Sequence, residues 1–93
     1  MMGIAEARLG KVIELLSQLV AFDTESQKSN LRLIDFVESY LSSLHVPFTR
    51  VPNAQSDKAA LFATIGPMQD GGIVLSGHTD VVPVAGQIWT SDP

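Results

Sequence analysis

The sequence predicts an α/β chain that opens a layered domain without completing it. Three observations carry that prediction. Two stretches with apolar residues at helical spacing come first, and short apolar runs bounded by proline and glycine follow them. The tail from Val81 to Pro93 then shows no periodic element that could close a sheet. With 93 residues there is material for one modest hydrophobic core and not for two, so a single domain or part of one is expected.

The first helix is expected from about Ala5 to Ala21, where Leu9, Val12, Ile13, Leu16, Leu19 and Val20 recur three and four residues apart and so share one face. The polar stretch from Asp23 to Asn30 breaks it, because these side chains bond nearby backbone and compete with helical hydrogen bonds. Ser29 or Asn30 is the expected N-cap of a second helix that runs to about Leu44. That helix carries Leu33, Ile34, Val37, Leu41 and Leu44 on one face, widened by Phe36 and Tyr40. It ends at His45, ahead of Val46-Pro47, since proline restricts the residue before it.

Strands are expected at Phe48 to Val51 and at Ala59 to Ile65, joined by the polar turn from Asn53 to Asp57. Gly66-Pro67 stops the second, and Asp70-Gly71-Gly72 reads as a turn. The continuous apolar run Ile73-Val74-Leu75 reads as a third strand covered on both faces, ending at Ser76-Gly77-His78.

Composition narrows the functions. Hydrophobic residues at 45% and charged residues at 17% are globular proportions, so the chain is expected to fold. Its net charge of -4 offers no basic surface for nucleic acid. Without cysteine there can be no disulfide, thiolate metal site or cysteine nucleophile. No apolar run is long enough to cross a bilayer, and the N-terminus does not read as a signal peptide, so a cytoplasmic location is expected.

Reactive side chains concentrate in Ser76-Gly77-His78-Thr79-Asp80, after the expected third strand, where α/β sheets usually build their sites. In extended backbone His78 and Asp80 lie on the same side of the chain, roughly 6–7 Å apart at Cα. A carboxylate at that spacing can hold one imidazole nitrogen while the other binds a metal. The same spacing also suits a strand-end histidine bonded to a turn aspartate with no metal at all, and spacing alone does not decide between them. His45 reads as a helix-end residue, Trp89 as a packing residue, and Thr24 and Ser26 as parts of a capping turn, because no base partners them.

The string from Ser76 to Pro83 resembles the first metal-site motif of the M20 metallopeptidase family. The continuation from Val84 to Pro93, and the earlier Leu19 to Ser26 with Ser29-Asn30-Leu31, are similar to those members that hydrolyse N2-acetyl-L-ornithine. The similarity spans nearly all of this chain and only the first quarter or so of a typical member. It implies a catalytic domain like that of the zinc-dependent exopeptidases, an α/β/α layered arrangement with a mixed sheet, of which residues 1–93 would be the N-terminal part. It implies hydrolysis of N2-acetyl-L-ornithine to L-ornithine and acetate, in arginine biosynthesis, with two zinc ions and cobalt as a substitute.

By the same resemblance His78 is a zinc ligand, Asp80 is the catalytic-site residue that orients it, and the complete enzyme is a candidate homodimer acting on an N-acetylated amino acid. The bridging aspartate, the glutamate base and the remaining ligands are expected beyond Pro93, so the chain alone is expected to be inactive. Two positions depart from the pattern: Ala85 stands where a carboxylate is common, and His45 where glycine is usual. A desuccinylase or dipeptidase of the same family, a non-catalytic remnant and a small binding module remain alternatives.

Overall fold

Helix α1 covers Ile4–Val20 and α2 covers Leu31–Ser43, followed by strands β1, Phe48–Pro52, and β2, Ala59–Ala63. The computed structural model describes residues 3–93. Among the described residues the sheet has two strands, paired antiparallel with Phe48 opposite Ala63 and Pro52 opposite Ala59. The result is a small mixed α/β arrangement, with both helices close to their expected bounds.

The third expected strand is not formed. Ile73, Val74 and Leu75 lie outside any strand at 90%, 81% and 92% exposure. A continuous apolar run becomes a central strand only when neighbours pair both its edges and cover both faces, and no described segment does either. The expected layers with a mixed sheet are likewise not assembled by these residues. The one parallel pairing among the described residues is an isolated bridge between Glu25 and Val81. The chain is spread out: its radius of gyration is 16.0 Å, against about 12 Å for a compact domain of this length. One principal extent of 22 Å beside two of 48 and 46 Å makes it a slab.

The core is correspondingly small. Leu33 and Ile34 of α2 and Ala59 of β2 are buried, with Leu19, Phe22, Leu31, Val37 and Leu61 packed around them. Phe22 meets Phe36 with ring centroids 5.6 Å apart and planes tilted by 49°, an aromatic contact that joins the end of α1 to α2. Helix α1 buries none of its residues, and Leu9, Val12, Ile13, Leu16 and Val20 of its apolar face are more than half exposed. Its start is set by Glu6, which accepts the Gly3 N–H at 3.3 Å and places a negative charge at the positive end of the helix dipole.

Two local devices complete the frame. At the end of α2 the Val46 N–H donates to the Leu41 carbonyl and the His45 N–H to the Ser42 carbonyl, both at 3.0 Å. These are the paired bonds of a Schellman terminus, which requires a left-handed residue, and His45 supplies it with φ 56°. Arg50 of β1 then ties the sheet to α2. Its Nε and Nη2 donate to the two Glu38 carboxylate oxygens at 2.8 and 2.6 Å, and Nη2 also reaches Asp35 at 2.5 Å.

Candidate functional site

The segment carrying His78 and Asp80 is laid against the loop between α1 and α2. Val81 N–H donates to the Thr24 carbonyl at 3.1 Å and Ser26 N–H to the Val81 carbonyl at 3.0 Å, which together make the parallel bridge. The Thr24 hydroxyl donates to the Thr79 carbonyl at 2.5 Å, and Thr24 is the one buried polar residue described. Its hydroxyl could not be buried at so little cost without that acceptor. Thr24 and Ser26 thus hold the segment that follows Gly77, a role beyond the capping turn expected of them.

His78 and Asp80 are together. His78 Nδ1 lies 2.8 Å from Asp80 Oδ1 and 3.1 Å from the Asp80 carbonyl oxygen. Both neighbours accept, so Nδ1 carries the proton and, in the neutral ring, Nε2 keeps a free lone pair. Nε2 makes no hydrogen bond among the described residues, and the His78 side chain is 84% exposed. The other Asp80 oxygen, Oδ2, accepts from the Ser26 hydroxyl at 2.9 Å. That bond, then the one to His78, holds the Asp80 carboxyl below the ordinary aspartate range, because both stabilise the ionised form.

Ser26 is itself fixed by its N–H bond to Val81 and by Lys58 Nζ, which donates to its carbonyl. Sequence spacing could show the His78–Asp80 pair, two residues apart. It could not show Thr24, Ser26 or Lys58, whose partners lie 55, 54 and 32 residues away.

Asn30 is the N-cap of α2, as expected; its side chain makes no cap bond and is turned to the backbone of Ala59, because β2 begins beside it, while the Ser29 hydroxyl oxygen accepts the Leu31 N–H at 3.2 Å. One other expectation is corrected here. Trp89 is not a packing residue: it is 47% exposed, and its indole N–H donates to the Val84 carbonyl at 3.1 Å, closing a turn of the tail. A cleft of about 450 Å³ opens beside the loop, lined by Phe22, Thr24, Arg32 and Leu33 among others, and includes neither His78 nor Asp80.

The donor set meets the needs of zinc in part. His78 presents one imidazole nitrogen in the tautomer a metal ligand needs, with the carboxylate behind it that usually accompanies such a ligand. A zinc site takes at least three protein ligands, and among the described residues no three His, Asp or Glu groups gather in a way that could hold a metal ion. Among the described residues only the His78 nitrogen stands ready as a donor of that kind.

Known proteins similar in sequence match this chain along most of its length. An acetylornithine deacetylase from Proteus mirabilis (strain HI4320) is 36% identical over 94 aligned positions, covering 92% of this chain. One from Pasteurella multocida (strain Pm70) is 34% identical over the same share of the chain, and one from Edwardsiella ictaluri (strain 93-146) 41% identical over 78% of it. The chain is related in sequence to the acetylornithine deacetylases. It spans about a quarter of the length of the curated relatives it matches, 24% for the Proteus mirabilis deacetylase. No family model and no solved structure matches it. No helix among the described residues is long and apolar enough to cross a membrane.

Proposed function

We propose that these residues form the N-terminal part of a zinc-dependent amidohydrolase of the M20 type, acting on N2-acetyl-L-ornithine to give L-ornithine and acetate in the arginine pathway. The observation that carries the reading is the His78 ring, held at Nδ1 by Asp80 with Nε2 left free. The similarity to acetylornithine deacetylases along nearly the whole chain supports it. In this reading His78 is one zinc ligand and Asp80 orients it. Zinc, when bound, supplies a Lewis acid for the amide carbonyl and a water acidic enough to ionise near neutral pH. Asp80, fixed at Oδ2, keeps the imidazole in one tautomer and one direction. The layered α/β/α domain, a cytoplasmic location and a homodimeric enzyme belong to the same proposal.

One histidine does not activate water, so the 93 residues alone are inactive in this reading. The test replaces the matching first quarter of the Proteus mirabilis and Pasteurella multocida deacetylases with this chain. Hydrolysis of N2-acetyl-L-ornithine in preference to N-succinyl amino acids and dipeptides is expected from chimeras that melt cooperatively. Preference for a succinylated substrate or a dipeptide would assign the chain to another amidohydrolase. Well-folded chimeras inert toward all three would point to a non-catalytic binding module.

A further inference from the structure

The Asp80 carboxylate has two oxygens, and the reading above uses only the one facing His78. The other is engaged by Ser26, from a loop that lies 54 residues earlier in the chain. We propose that Ser26 is a positioning residue, whose hydroxyl fixes the Asp80 carboxylate so that its free oxygen holds His78 with Nε2 open to a metal. The proposal rests on the reading of His78 and Asp80 given above and adds a residue to it.

The physical case begins with exposure. The side chains of His78 and Asp80 are 84% and 60% exposed, so water competes for both, and a carboxylate can turn about its last bond. A pair two residues apart on an open segment is therefore poorly fixed by itself. Ser26 removes that freedom because it is already held: its N–H is bonded to the Val81 carbonyl at 3.0 Å and its carbonyl to Lys58 Nζ. Its hydroxyl has one proton and two acceptors within reach, Asp80 Oδ2 at 2.9 Å and the Val81 carbonyl at 3.3 Å. The nearer acceptor is also the charged one, and a charge-assisted bond is the stronger, so the proton goes to Asp80. The order is then Lys58, Ser26, Asp80, His78, with each group oriented by the one before it.

Ser26→Ala removes the bond, and Ser26→Thr keeps a hydroxyl at a position exposed enough to accept a methyl group. The readout is the tautomer of His78 in the 93-residue chain, from long-range proton–nitrogen correlation at a pH where the ring is neutral. Hydrogen exchange of the Ser26 and Val81 amides is followed alongside. The wild-type ring is expected chiefly as the Nδ1–H form. Ser26→Ala is expected to lower the ratio of Nδ1–H to Nε2–H by about fivefold with both amides still protected, and Ser26→Thr to restore it. An unchanged ratio in Ser26→Ala overturns the proposal, while a changed ratio in Asp80→Asn beside it leaves the His78–Asp80 reading standing. If the ratio falls only when both amides lose protection, Ser26 merely docks the segment, and the proposal is also overturned. If Asp80→Asn leaves the ratio unchanged as well, both readings fall.

Discussion

Asn30 grips Ala59 through both halves of its carboxamide: Oδ1 accepts the Ala59 N–H and Nδ2 donates to the Ala59 carbonyl, each at 2.9 Å. The side chain thereby imitates a neighbouring strand at the first residue of β2 and joins that strand to the start of α2, next to the buried Leu33 and Ile34. Removing it leaves a buried residue with two unmatched backbone groups. Asn30→Ala is expected to cost about 1–3 kcal/mol. Asn30→Asp, which keeps the acceptor but sets an oxygen against the Ala59 carbonyl, should recover little of that loss. Denaturant melts of the two variants check this, and wild-type stability in either contradicts it.

The left-handed backbone at His45 makes a second prediction. A side chain there is strained and glycine is not, although glycine loses more freedom on folding. His45→Gly should therefore be neutral to stabilising by up to about 1 kcal/mol, and His45→Val, with its branched Cβ, destabilising. The order of melting temperatures, glycine at or above histidine and valine lowest, is the check.

Helix α1 presents Leu9, Val12, Ile13, Leu16 and Val20 to solvent, and Ile73 to Leu75 are exposed as well. Apolar surface of that extent drives association. The isolated chain is expected to bind hydrophobic dyes and to sediment as a concentration-dependent mixture, and Leu16→Glu with Val12→Lys should shift it toward monomer. A wild-type monomer that binds no dye would contradict this.

How much of this could be read in the sequence depends on the range of each interaction. Spacing along the chain reveals α1, α2 and the β1–β2 hairpin, because helical and alternating periods are local signals. It also reveals the His78–Asp80 pair. Ile73-Val74-Leu75 misled because hydrophobicity says that a segment wants cover, and only partner strands say whether it becomes a strand. Asn30 is legible as the cap of α2, and Thr24 and Ser26 as turn residues, because short polar side chains suit those local roles. The partners of their side chains, Ala59, Thr79 and Asp80, are brought close only by the tertiary path.

The loop between the helices also carries an exposed ion pair, Lys28 with Asp23 at 2.5 Å. The Lys28 hydrogen bond, then the Glu25 N–H, holds the Asp23 carboxyl below its ordinary value of 3.8, and the Asp23 bond raises Lys28 above 10.5. A lowered carboxyl favours the folded loop above the ordinary aspartate value and loses that effect as pH falls through the lowered one. A raised lysine favours it below the ordinary lysine value and loses that effect as pH rises through the raised one. The pair should thus be intact from below pH 3.8 to above pH 10.5. Carboxyl chemical shifts should give an Asp23 midpoint below 3.8 that moves upward in Lys28→Gln, and an unchanged midpoint would contradict the pairing.

Zinc content tests the functional reading most directly. It is measured on folded chimeras of this chain with the rest of an acetylornithine deacetylase, for wild type, His78→Ala and Asp80→Asn. Two zinc ions per wild-type chain are expected, and loss of one, with activity, in His78→Ala. Asp80→Asn is expected to retain zinc with affinity or activity about 10–100-fold lower. Two full zinc equivalents in a folded His78→Ala protein would contradict the assignment of His78 as a ligand.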